Sequence, residues 1–127
     1  MTSQPLPEQH SVGLVLDCRD PKVLAPFWAA ALGYVELGGV DNYLFLAPDD
    51  RQGPNLLLQR VPEPKSAKNR MHFDIHTPDI EREAQRLEGL GARRLEAAPR
   101  SEHGTNWLLM ADPEGNEFCV CDGGAGA

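Results

Sequence analysis

The amino-acid sequence predicts an α+β domain built from two βαβββ repeats. Two observations carry this reading. The order strand, helix and three short strands runs once through residues 11–61 and again through residues 70–122. Pieces of sequence also match between the two. Tyr43-Leu44-Phe45-Leu46-Ala47-Pro48 parallels Trp107-Leu108-Leu109-Met110-Ala111-Asp112, and Leu32-Gly33-Tyr34 parallels Leu90-Gly91-Ala92. One such unit cannot cover its own sheet face, so the two should pack together.

Each element has its own signals. Val12–Cys18 reads as a strand. Asp20-Pro21 supplies a helix N-cap with proline at the first helical position. Leu24, Phe27, Trp28, Ala31 and Leu32 follow at helical spacing, and Gly33 closes the helix. Pro26 inside that pattern predicts a kink or a late start. Three strands are expected next, at Tyr34–Leu37, Asn42–Ala47 and Asn55–Val61. Residues 62–69, with Pro62, Pro64, Lys65 and Lys68, form the connector. In the second repeat Arg70–His76 reads as a strand. A helix follows Asp79, with Ile80, Ala84, Leu87 and Leu90 on its apolar stripe and Gly91 at its end. Strands are expected at Ala92–Ala97, Thr105–Ala111 and Asn116–Cys121. The loop Arg100–Asn106, with His103 and Gly104, is either a lid over a cavity or a long hairpin.

Composition sets the limits. At 127 residues the chain suits one domain, and folding buries about two thirds of the unfolded chain's surface without help from disulfides or metal. Hydrophobic residues make up 41% with no long apolar run, so a membrane span is not expected. Residues 1–10 lack the pattern of a signal peptide and read as a mobile arm, with a flexible tail at 123–127. A cytoplasmic location is expected. The net charge of -7 argues against nucleic-acid and anionic-membrane partners. The three cysteines, Cys18, Cys119 and Cys121, read as reduced thiols. Cys119 and Cys121 are two apart on a strand, about 6.5–7 Å, which is poor disulfide geometry.

The most specific motif is Asp112-Pro113-Glu114-Gly115-Asn116, directly before the last strand. Together with two βαβββ units it resembles the vicinal oxygen chelate superfamily, which includes glyoxalase I, bleomycin-resistance proteins and extradiol dioxygenases. The resemblance covers Val12 to Asp122, and Val61–Asp74 is similar to a subgroup of short glyoxalase-like proteins. It implies a curved mixed sheet around a cavity, helices on the outer side, and a homodimer. In metal-using members each half gives one ligand from its first strand and one from its last, and the set suits a hard divalent ion.

Carried over residue by residue, that ligand set is incomplete. His72 matches the first-strand ligand of the second half and shares a strand face with Asp74 and His76. Its first-half counterpart falls on Val15 or Gly13, neither of which carries a donor. His10 lies on the opposite parity and would need a one-residue slip. Counting from the Asp-Pro-Glu-Gly-Asn turn puts Cys119 where metal-using members carry Glu, with Glu117 on the same face. The first-half counterpart of Cys119 falls on Leu58 or Gln59, of which Gln59 is favoured. If a metal such as Zn, Ni, Mn or Fe is held, its ligands are His72, Gln59, Cys119 and Glu117. Cys plus His is soft for the metals such sites use, so no metal cofactor is expected. Cys119 is either a cavity-wall residue or a nucleophile activated by His72.

The expected ligand-binding residues are Gln59, Arg70, His72, Asp74, His76, Trp107, Glu117 and Cys119. Arg60, Lys65, Lys68 and Arg70 form either an anion clamp or a solvated connector, with Arg70 the strongest candidate for a clamp. Two functions follow. One is a small-molecule-binding protein without metal chemistry. The other is a glyoxalase-type lyase or isomerase acting on a small oxygenated compound, with His72 as general base or ligand.

Overall fold

A computed structural model describes residues 12–122. The expected arm, His10 and the tail lie outside that range. The elements run β1 (Leu14–Cys18), α1 (Pro21–Leu32), β2 (Tyr34–Val40), β3 (Tyr43–Pro48), β4 (Leu56–Arg60), β5 (Asp74–His76), α2 (Ile80–Gly89), β6 (Arg93–Arg94), β7 (Arg100–Glu102), β8 (Thr105–Ala111) and β9 (Glu117–Asp122). The fold is α+β with two open, curved mixed sheets. Strand order is β1-β4-β3-β2 in one and β5-β9-β8-β6 in the other, with β7 paired to β8. In each unit the first and last long strands pair in parallel and the rest are antiparallel. The repeat is therefore real at the level of pairing. Each unit builds its own sheet, and the two share a core rather than one ladder.

That core is continuous. Leu14, Leu16, Leu56, Leu58 and Leu46 of the first sheet and Ile75, Phe118, Val120, Leu108 and Met110 of the second pack with Leu24, Phe27 and Trp28 of α1 and with Ile80, Ala84 and Leu87 of α2. Alternation along each strand sends these residues to the helix side. Trp28 joins the halves: its ring lies edge-on to Phe73 at 5.1 Å and to Phe118 at 5.3 Å. Such aromatic pairs add about 0.5–1.5 kcal/mol each to area burial.

The Asp112–Asn116 turn makes the second join. Buried Asp112 accepts from Trp28 Nε1 at 3.0 Å, from the Glu114 and Asn116 amides, and from Asn116 Nδ2. Glu114 accepts from the amides of Arg19 and Asp20 at the start of α1, at 2.7 and 2.9 Å. Gly115 permits the turn, with φ +88. Arg86 of α2 adds a third tie by donating to the carbonyls of Ala30 and Ala31 at the end of α1.

Several expectations need correcting. The helix of the first repeat starts at Pro21 despite Pro26, because Asp20 caps it by accepting from Lys22 N and the exposed Pro26 ring faces away from the core. The strand expected at Arg70–His76 is regular only from Asp74. Residues 70–73 lie along an edge with no partner on their outer side among the described residues. The strand expected at Ala92–Ala97 shrinks to Arg93–Arg94. Of the two alternatives for Arg100–Asn106, the structure shows the hairpin: β7 and β8 meet at His103-Gly104, both with positive φ, as a tight two-residue turn.

Candidate functional site

The two inner edge strands, β1 and β5, leave a cleft between the halves. It holds about 340 Å3 and is lined by Gly13, Leu14, Val15 and Leu16 on one side and by Met71, His72 and Phe73 on the other. Trp28 lies at its base, and Asn69, Asn116 and Glu117 complete the lining.

The polar groups come from the second half. His72 Nδ1 lies 3.1 Å from Asp74 Oδ1. That contact occupies one ring nitrogen, and Nε2 has no partner among the described residues. One donor atom each from His72, Asp74 and Cys119 falls within 4.8 Å of the others. Asp74 pairs with Cys119 across the β5–β9 ladder, and His76 pairs with Cys121. Burial pushes the Cys119 thiol up to about 11, with the Asp74 carboxylate adding to the shift. Cys121 also stands near 11, for the same two reasons in the same order. A thiol in that range stays protonated at neutral pH, so its burial works against Cys119 as a nucleophile. It is buried, 6% exposed, and stands outside the residues that line the cleft.

Glu117 is half in the wall. Its Oε1 accepts from Lys68 Nζ at 3.0 Å and from the Asn69 amide at 3.2 Å, while its own amide donates to Asn69 Oδ1. The connector is thereby tied to the start of β9. The hydrogen bond from Lys68 holds the Glu117 carboxyl below the usual carboxylate range.

The first half offers no matching chemistry, and the strand register shows why. Val15 stands five residues before the cap Asp20, as Asp74 stands five before Asp79. Val15 pairs with Leu57 where Asp74 pairs with Cys119. Gly13 is therefore the counterpart of His72, and Leu57 is the counterpart of Cys119. Gln59 sits one row further on, opposite Asp17 and Tyr43, in the position of Cys121. It belongs to the other sheet and is not part of the His72–Asp74–Cys119 group. The divalent ion that metal-using relatives hold needs oxygen and imidazole donors from both halves. Here Gly13 and Leu57 give none, Cys119 offers a soft sulfur where such an ion takes oxygen, and one Glu117 oxygen is taken by Lys68. These residues do not fit that ion.

The remaining expected residues are dispersed. Arg70 and Lys65 are exposed and stand outside the cleft lining. Arg60 points to Asp20 at 3.8 Å. The basic residues do not converge, so the anion-clamp arrangement is absent among the described residues. His76 is exposed, Trp107 is partly buried beside Cys121 and Arg100, and His103 is at the β7–β8 turn. Sequence reasoning missed Met71, Phe73 and Asn69 as cleft residues, whereas it reads Trp28 as core or cavity lining. Period-two alternation assigned Met71 and Phe73 to the helix side, but residues 70–73 precede the regular strand and border the gap with both faces.

The family model described as Glyoxalase-like domain matches residues 13–121. No curated protein sequence matches the chain. Among solved structures, the chain is similar to the fosfomycin resistance protein FosX from Listeria monocytogenes (TM-score 0.72, 13% identity, 92% of this chain and 95% of that one). It is also similar to a glyoxalase/bleomycin resistance protein/dioxygenase family enzyme from Burkholderia phytofirmans PsJN (TM-score 0.71, 13% identity, 86% and 94%). A third is a glyoxalase-related enzyme from Fulvimarina pelagi (TM-score 0.69, 18% identity, 91% and 88%). At such identities the likeness establishes the shared fold.

Proposed function

The chain belongs to the glyoxalase-like domain family, and from that premise we propose that it is a small-molecule-binding protein that works without a bound catalytic metal. Its ligand sits in the cleft between β1 and residues 69–73. One observation carries this reading: the first half places Gly13 and Leu57 where the second places His72 and Cys119. Half of a two-sided ligand set is thus without donors. The cleft itself has the make-up of a small-molecule site, apolar walls with a few placed polar groups, and a volume at the lower end of the usual range of about 300–1,000 Å3.

The grouping of His72, Asp74 and Cys119 favours a second reading, a metal-dependent lyase or isomerase acting on a small oxygenated compound. Elemental analysis separates the two. Protein purified without chelator and then dialysed against equimolar Zn, Ni, Mn and Fe should retain well below one ion per chain. One ion per chain, lost in His72→Ala, overturns the metal-free reading and restores the enzyme. We further propose that the chain pairs with a second copy. Val15, Tyr43 and Phe45 form exposed apolar surface on the open face of the first sheet, and a partner would cover it. Light scattering that gives a mass of 13.9 kDa at micromolar concentration would refute pairing.

A further inference from the structure

The charge of the cleft narrows the ligand class, given that the cleft is the binding site. Its lining contains one carboxylate, Glu117, and no Lys or Arg. The Asp74 carboxylate stands next to His72 at the rim. Both hydrogen bonds that Glu117 accepts fall on Oε1, and Oε2 has no partner among the described residues. Lys68, which pairs with Oε1, has a side chain 71% exposed, whereas that of Glu117 is 13% exposed. The Lys68 ammonium thus lies largely in solvent, while the Glu117 carboxylate lies in the cleft wall with Oε2 left for a ligand. The rest of the lining is mainly apolar or aromatic, with Val15, Leu16, Trp28, Met71 and Phe73, and carries the polar side chains of Asn69, His72 and Asn116.

We infer that the cleft is built for an organic cation, a protonated amine on an aromatic or branched apolar body, with the amine donating to Glu117 Oε2 and the body lying against Phe73 and Met71. A charge-assisted hydrogen bond inside an apolar wall gives such a ligand its orientation. An anionic ligand meets the opposite field, because the basic side chains of the connector lie outside the cleft. Lys68 competes with the ligand for the Glu117 charge, which makes its removal informative.

The test uses three probes of one shape: 2-phenylethylamine, 2-phenylethanol and phenylacetate, each titrated into the full chain by calorimetry at low ionic strength. The amine should bind roughly fivefold or more tightly than the alcohol, with the carboxylate weakest. Glu117→Gln, which keeps the shape and the acceptor toward Lys68, should bring the amine to within about twofold of the alcohol. Lys68→Ala should instead tighten the amine severalfold and leave the alcohol unchanged, an outcome that a merely structural role for Glu117 does not produce. Equal binding of all three probes, a preference for phenylacetate, or an amine affinity unmoved in Glu117→Gln would overturn the inference and leave the small-molecule reading standing. Binding of none of the three at millimolar concentration would overturn both.

Discussion

The two halves of the molecule share one plan and differ in what they expose. Their strand orders correspond, with β7 an additional strand on the second sheet, and their helix caps are both aspartates. On the open faces the corresponding rows read Val15–Leu57–Phe45 in the first sheet and Asp74–Cys119–Leu109 in the second. The next rows read Asp17–Gln59–Tyr43 and His76–Cys121–Trp107. The helix-side rows are apolar in both. Packing holds the helix-side residues to one kind, because a polar group there has no partner and costs about 1–3 kcal/mol. The open faces are under no such constraint and have diverged. The first of these rows is apolar throughout in the first sheet, whereas in the second it carries Asp74 and Cys119, so the two open faces differ in character at that level.

The loops before the last strands differ even more, and the largest expected effect lies there. Asp112 is buried and accepts from Trp28, Glu114 and Asn116. Burial raises its carboxyl, and those donors pull it back. In the first half Asp50 is exposed and accepts only from the Gln52 amide at 2.9 Å among the described residues. Asp112→Ala leaves buried donors without an acceptor and should lower unfolding stability by about 2–4 kcal/mol in urea titrations. Asp50→Ala should cost less than about 0.5 kcal/mol. Similar losses would mean that the Asp112–Asn116 turn does not join the halves.

A middle-sized effect concerns the thiols. Cys119 and Cys121 stand near 11 and Cys18 near 12, each raised by burial from an ordinary 9.0. A raised thiol pKa favours the folded state while the unfolded thiol is protonated. That contribution is complete below pH 9 and is lost as pH climbs from about 9 through 11 to 12. Stability should therefore stay level in this respect from pH 7 to 9 and then fall, less steeply in Cys119→Ser/Cys121→Ser. At pH 8 the Cys119 thiolate fraction is about a hundredfold below that of an unperturbed thiol, so alkylation by iodoacetamide should be correspondingly slow. Rapid labelling of Cys119 in the folded protein would contradict its burial.

The smallest effects are expected at the basic connector. Arg70→Ala and Lys65→Ala should each change ligand affinity and stability by less than about 1 kcal/mol, because both side chains are exposed outside the cleft. A loss of several kcal/mol at Arg70 alone would return the anion clamp and reverse the charge preference inferred for the cleft.

By itself, the sequence determined the repeat, the helix positions and the open-face parity of Asp74, His76, Glu117 and Cys119. These depend on local rules: a cap at Asp20 or Asp79, apolar spacing in Leu24–Leu32 or Ile80–Leu87, and alternation along β9. The absence of donors at Gly13 was also legible, although Val15 was an equal candidate until the caps were aligned through the ladder. Tertiary structure alone decided the rest. Which residue stands opposite Cys119 is a question of register, and a single-residue shift moves the answer from Leu57 to Leu58 with no change in local pattern. The fate of Lys68 and Arg70 depended on whether a carboxylate lay within reach, and Glu117 is 49 residues away in the chain from Lys68. The cleft exists because β1 and β5 are edges that do not pair. Its width and its field come from two distant segments brought together by Trp28 and Asp112, and no local pattern encodes the distance between them.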